Sequence, residues 1–193
     1  IRDLVRSRGL GDVYKRQSET LMLNLKDYIR NIPDFPKPGI IFRDITTALK
    51  KPNVFRQIID EIYFNFKDEN IDYIAAIESR GYLFGAPLAY KLGAGLVIIR
   101  KPGKLPSKVE RIEYELEYGT DSLEIHQDAV EPGKRVLVVD DLLATGGTIC
   151  AACKLIEKIG GIVAGTAFLI ELDNLKGKTH LPKSAKNIAL LRY

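Results

Sequence analysis

Two adjacent acids, Asp140 and Asp141, end an apolar run and stand four residues before Thr145-Gly146-Gly147-Thr148. The residue types suit two different tasks. Glycines let backbone N–H groups approach an anion closely, threonine hydroxyls add donors, and a helix beginning at this point turns its N-terminus toward negative charge. That combination predicts a phosphate cradle. Two carboxylates beside a phosphate would repel it, so they fit only if they face neutral hydroxyl groups or a metal cation. A sugar phosphate meets both requirements, with its phosphate in the glycine turn and its ribose hydroxyls donating to Asp140 and Asp141. The plainer alternative is a strand-to-helix turn with an aspartate N-cap, which needs one Asp and no pair of glycines. A nucleoside-triphosphate loop requires G-x-x-x-x-G-K-[ST]; Gly177, Lys178 and Thr179 supply its end, but Leu172 stands where its first glycine belongs. No G-x-G-x-x-G occurs either.

The elements that must position this motif read as alternating buried strands and helices. Short β-branched runs at 73–77, 96–99, 136–139 and 162–170 alternate with helical periods at 53–67, 82–92 and 147–159. Gly93 and Gly160 fall where helices stop. The pattern predicts an α/β domain with an open, doubly wound, mainly parallel sheet, whose ligands gather at the carboxyl ends of the strands. Residues 23–32 carry Leu25, Tyr28, Ile29 and Ile32 at helical spacing, which predicts an amphipathic helix. Two segments break the alternation. Residues 109–118 put Ile112, Tyr114, Leu116 and Tyr118 on one face and charged residues on the other, predicting a half-exposed antiparallel strand that pairs with 122–127 across Gly119. Residues 100–108, rich in Pro, Gly and Lys, predict an irregular, mobile loop.

The 193 residues suit one domain, and no apolar run approaches the ~18 residues of a membrane span. Net charge is +4, suited to small anions and weak support for nucleic acid. Cys150 and Cys153 are the only cysteines, too few for a disulfide framework or a four-cysteine zinc site, and the natural reading is a reducing, cytoplasmic setting. His126 and His180 have no metal-ligand spacing. Residues 1–21 hold five basic and three acidic residues without a sustained apolar period, whereas Met22 is the only methionine. The expectation is a non-native or disordered extension over 1–21, with a basic flexible arm as the alternative, and a single domain over 22–193.

The run VLVVDDLLATGGT, residues 136–148, resembles the phosphoribosyl-pyrophosphate (PRPP) motif of type I phosphoribosyltransferases. The stretches IPDFPKPGIIFRDIT (32–46), ESRGYLFG (78–85), RKPGKLP (100–106) and LEYGTDSLEIH (116–126) resemble the adenine phosphoribosyltransferases in particular. The resemblance runs from Met22 to Tyr193 and implies the type I fold with a small hood and a flexible β-ribbon loop. It also implies a reaction of adenine with PRPP that yields AMP and pyrophosphate, with magnesium held mainly by the substrate and with a homodimer as the assembly.

Residue by residue, the resemblance assigns Ala144, Thr145, Gly146, Gly147 and Thr148 to the 5′-phosphate and Asp140 and Asp141 to the ribose hydroxyls. Pyrophosphate falls to Ser79, Arg80, Arg100, Lys101 and Lys104, and adenine to Ile41, Phe42, Arg43 and Leu172. The alternative for each lysine taken singly is a solvated surface run, and for Ile41 and Phe42 it is a place in the core of a short strand. The 6-oxopurine branch carries an acid at the position of Ala144, and alanine takes no proton. The family therefore points to Glu117 as the base near purine N7, with Arg80 opposite it at the pyrophosphate. Periodicity alone would leave Glu117 on the wet face of a strand. Tyr118 would shield the site from water. The rival readings are a phosphoribosyltransferase for xanthine, hypoxanthine or orotate, and a regulator that senses PRPP while binding DNA; no helix-turn-helix pattern precedes Arg43.

Overall fold

A computed structural model describes residues 22–115 and 119–193, Glu115 by its backbone alone. The predicted extension over 1–21 and the residues Leu116, Glu117 and Tyr118 lie outside the described residues. The chain divides into two compact units at Gln57 and Ile58.

In the first unit, residues 23–32 do not form the expected amphipathic helix. A single 3-10 turn, Leu25–Tyr28, gives way to strand β1, Arg30–Ile32, which pairs antiparallel with β2, Phe42–Asp44. Cross-strand pairing overrides the helical period: Arg30 stands opposite Asp44 and ion-pairs with it, and the Arg43 guanidinium donates to Asn31 Oδ1 at 2.5 Å. Asn24 caps the 3-10 turn through its side chain, and one helical turn, Thr46–Leu49, follows β2.

Helix α1, Pro52–Phe66, begins in the first unit and ends in the second. The second unit is built on a parallel five-stranded sheet: β3 (Tyr73–Ile77), β4 (Gly95–Ile99), β7 (Arg135–Leu143), β8 (Ile162–Glu171) and β9 (Lys186–Arg192), in the spatial order β4-β3-β7-β8-β9. Helix α2, Gly81–Leu92, joins β3 to β4, and helix α3, Gly147–Lys158, joins β7 to β8. Both stops fall as expected: Gly93 and Gly160 take positive φ angles of 68° and 93°. Sequence periodicity missed β9, whose KNIALLR mixes polar and apolar residues because it lies at the sheet edge. Apolar side chains of β3, β7, β8 and α3, among them Ile77, Val138, Phe168 and Leu155, fill the core.

The chain leaves β3 toward β4 on one side and continues from β7 through β8 to β9 on the other, so the winding reverses between β3 and β7. Such a reversal opens a crevice at the carboxyl ends of the two strands. Register deepens it. The last β3–β7 pair is Ala76 with Val139, whereas β7 continues beside β8 as far as Leu143. Asp140 and Asp141 therefore lie within the strand, not in a loop after it, at the level where β3 has already turned away.

The ribbon pairs β5, Val109–Glu115, with β6, Thr120–His126, in the antiparallel sense. It is tied to the end of β4 by a bridge in which Arg100 and Glu124 exchange backbone hydrogen bonds of 2.8 and 2.9 Å. Ile112 and Tyr114 turn inward and Arg111 and Glu113 outward, as the alternation predicts.

Candidate active site

At the β3/β7 reversal lies a cleft of about 250 Å³ lined by Glu78, Arg80, Lys101, Asp140, Asp141 and the whole turn from Leu142 to Ile149. The turn is shaped by glycine. Gly146 adopts φ +89° and precedes helix α3 with no side-chain cap, which excludes the aspartate N-cap reading. A Cβ there would sit 2.7 Å from the Gly177 carbonyl oxygen, so only glycine fits. The first N–H groups of a helix have no partner within it, and here no capping side chain takes them, leaving donors and the positive end of the helix dipole at the cleft. On the opposite wall, the Cβ of any larger residue at Gly81 would lie 2.7 Å from the Val139 carbonyl oxygen. Glycine there lets the turn after β3 press against β7.

The acids differ in environment. Asp141 is buried and ion-paired, its Oδ2 2.8 Å from Arg80 Nε, and its N–H donates to Asp140 Oδ1 at 2.9 Å. Asp140 is pushed well above the ordinary aspartate range, first by loss of hydration and then by the negative charge of Asp141. Donors from a bound ligand, or a cation, would relieve that penalty.

Every cation that the family resemblance assigns to pyrophosphate has a carboxylate partner. Glu78 accepts from Arg100 Nε at 3.2 Å, from the Lys101 N–H at 3.0 Å and from Lys104 Nζ. Burial raises the Glu78 pKa, but these donors outweigh it and hold the carboxyl below its usual range. Lys101 Nζ ion-pairs with Asp121 and lies 3.2 Å from the Tyr114 hydroxyl. Gly103 N–H donates to Glu124 at 2.9 Å. The loop is irregular, as expected, but it is not the freely solvated run that its composition allows. Sequence reasoning missed Glu78, Asp121 and Tyr114 as partners, although Glu78 stood in the quoted ESRG turn.

Arg80, Lys101, Asp140, Asp141 and Ala144 to Thr148 thus meet in one cleft. Ser79, Arg100 and Lys104 border it without lining it, and Leu172 follows β8, its N–H donating to the Leu143 carbonyl at 2.9 Å. In the first unit Ile41 is half exposed, and Phe42 packs edge-on against Phe35 with ring centroids 5.3 Å apart. Ile41 is therefore no core residue. Glu117 and Tyr118 are outside the described residues. Among the described residues no group of three or more His, Cys, Asp or Glu side chains is placed to hold a metal ion, and no helix is long and apolar enough to cross a membrane.

The profile of the phosphoribosyl transferase domain matches residues 45–191. The chain is 57% identical over 171 residues to the adenine phosphoribosyltransferase of Acaryochloris marina, covering 89% of this chain and 100% of that protein. Among solved structures, the adenine phosphoribosyltransferase of Thermoanaerobacter pseudethanolicus superposes with a TM-score of 0.85 at 54% identity, covering 90% of this chain and 100% of the other. The Saccharomyces cerevisiae enzyme, solved with an imino-altritol bisphosphate and adenine, gives 0.81 at 41% identity, covering 86% and 96%. With the reversal crevice, the glycine turn and relatives matched along their full length, the chain belongs to the adenine phosphoribosyltransferase family.

Proposed function

We propose that the protein transfers the 5-phosphoribosyl group of PRPP to adenine, forming AMP and releasing pyrophosphate. The observation that carries this reading is the joining, in one cleft, of a helix-terminal glycine turn, an acid pair and the cations Arg80 and Lys101. The turn from Ala144 to Thr148 takes the 5′-phosphate, and Asp140 and Asp141 accept from the ribose hydroxyls. Ser79, Arg80, Arg100, Lys101 and Lys104 receive pyrophosphate and stabilise its growing charge as the bond to the sugar breaks. Positive charge on the ribose is stabilised by the acid pair. Ile41, Phe42, Arg43 and Leu172 hold adenine, Glu117 accepts the N7 proton, and Tyr118 keeps water from the sugar cation.

The oxygen donors Asp140 and Asp141 suit a hard cation that keeps most of its waters and takes its other ligands from phosphate, which fits magnesium arriving with PRPP. Bound there, magnesium would neutralise charge on the pyrophosphate. A homodimer is the proposed assembly; Leu96 and Ile98, exposed on the edge strand β4, are apolar side chains that a second copy would cover. Residues 22–193 carry the activity in a cytoplasmic setting, in keeping with the free thiols of Cys150 and Cys153.

The test is AMP formation from PRPP and magnesium with adenine, hypoxanthine, xanthine or orotate as the acceptor, with the full chain and with residues 22–193. Adenine alone should react. Turnover only with another base, or none with any, would overturn the reading.

A further inference from the structure

The phenol oxygen of Tyr114 joins three parts of the second unit. Thr148 Oγ1, in the first turn of helix α3, donates to it at 3.3 Å. Lys101 Nζ, from the loop after β4, donates at 3.2 Å and lies 5.7 Å from the centroid of the ring. Asp121, directly across the ribbon from Tyr114, lies 3.3 Å away through Oδ2.

Counting protons fixes the direction of each bond. An ammonium only donates and a carboxylate only accepts. The single proton of Tyr114 therefore goes to Asp121, and its two lone pairs are filled by Lys101 and Thr148. Thr148 also has one proton, and it is committed to Tyr114. A phosphate in the glycine turn offers only acceptors, so it receives the Thr148 proton only after that proton leaves Tyr114. The contact is easily surrendered: 3.3 Å is long against the ~2.7–2.8 Å common for O–H···O bonds.

We propose that Tyr114 is a positioning residue for substrate capture, which holds the Thr148 proton and shares Lys101 with Asp121 until a sugar phosphate takes Thr148 from it. The inference rests on the functional reading above and deepens it. It gives the ribbon a direct contact with the phosphate turn and with a pyrophosphate cation, through one hydroxyl.

Tyr114→Phe keeps the ring, with its packing, and removes the competitor. Calorimetric titration with ribose 5-phosphate should then show a dissociation constant about two- to tenfold lower than the wild type, the range expected for one modest hydrogen bond. In a Thr148→Val background the same substitution should change nothing, because no proton is contested; a purely structural role for Tyr114 would not obey that cycle. Equal or weaker binding by Tyr114→Phe, or a tightening that persists beside Thr148→Val, overturns the proposal alone. A wild type that binds neither PRPP nor ribose 5-phosphate overturns the functional reading, and the proposal with it. Should Tyr114→Phe fail to fold, full-length protein with 3-fluorotyrosine at position 114 gives the answer: its fluorine resonance should move on saturation with ribose 5-phosphate, and an unmoved resonance overturns the proposal.

Discussion

Arg80 Nε and Asp141 Oδ2 are 2.8 Å apart, so a cation from the turn after β3 and an acid of β7 neutralise each other across the cleft. The pair settles how two adjacent carboxylates coexist there. Asp141 is buried beside its partner Arg80, while Asp140 is pushed well above the ordinary aspartate range by lost hydration and then by Asp141, a penalty that the Asp141 N–H and Arg80 offset only in part. In the proposed reaction each member exchanges its partner: the ribose hydroxyls donate to the acids, and Arg80 turns to pyrophosphate. Glu78 stands in the same relation to Arg100 and Lys104. Each cation of the site thus has a carboxylate partner before substrate arrives.

Replacing both acids tests this exchange. Each hydrogen bond to a charged group contributes about 1.5–3 kcal/mol, roughly ten- to a hundredfold in affinity. Asp140→Asn combined with Asp141→Asn should therefore weaken PRPP binding by at least a hundredfold in calorimetric titration. Wild-type affinity in the double variant would remove the pair from ribose recognition.

Gly146→Ala tests the turn. The left-handed φ costs a residue with a side chain about 1–3 kcal/mol, and the new methyl group meets the Gly177 carbonyl as well. Thermal unfolding should shift downward by several degrees, with loss of ribose 5-phosphate binding in the same variant. A stable variant that binds normally would show that the turn accepts another geometry.

The phosphate turn was legible in the sequence because close backbone approach and left-handed geometry demand particular residues, and those residues were present in order. Buried strands β3, β7 and β8 were legible for a related reason: both faces are covered, so the runs are continuously apolar. The first unit was misread because Leu25, Tyr28, Ile29 and Ile32 satisfy a helical period, while the pairing of Arg30 with Asp44 and Asn31 with Arg43 depends on residues a dozen or more positions away. The partners of the cations were hidden likewise. Nothing local to Lys101 announces Asp121, and only the ribbon's register brings Tyr114 and Asp121 opposite each other.

Glu117 is the assignment that owes most to family resemblance. General-base catalysis contributes about 10²–10⁴ in rate. Glu117→Gln should lower kcat by that factor and leave the dissociation constant of PRPP within about twofold, since the base acts at the purine and not at the sugar phosphate. Unchanged turnover would remove Glu117 from the role of base.

Asp44 supplies a pH test of the first unit that is independent of the reaction. Its carboxyl is held down to about 2 from an ordinary 3.8, by the Thr46 hydroxyl and N–H first and by Arg30 after them. The Thr46 N–H lies 2.9 Å from Oδ1 and Arg30 Nε 2.9 Å from Oδ2. A carboxyl with a depressed pKa binds its proton more weakly in the folded chain than in the unfolded one. Its stabilising contribution is therefore complete above about pH 5 and is lost as the pH falls through 3.8 toward 2. Asp44→Asn should unfold at lower temperature than the wild type at pH 6, and the gap between the two melting temperatures should close on acidification from pH 5 to pH 2. A gap that stays constant over that range would mean that Asp44 contributes through its shape and not through its charge.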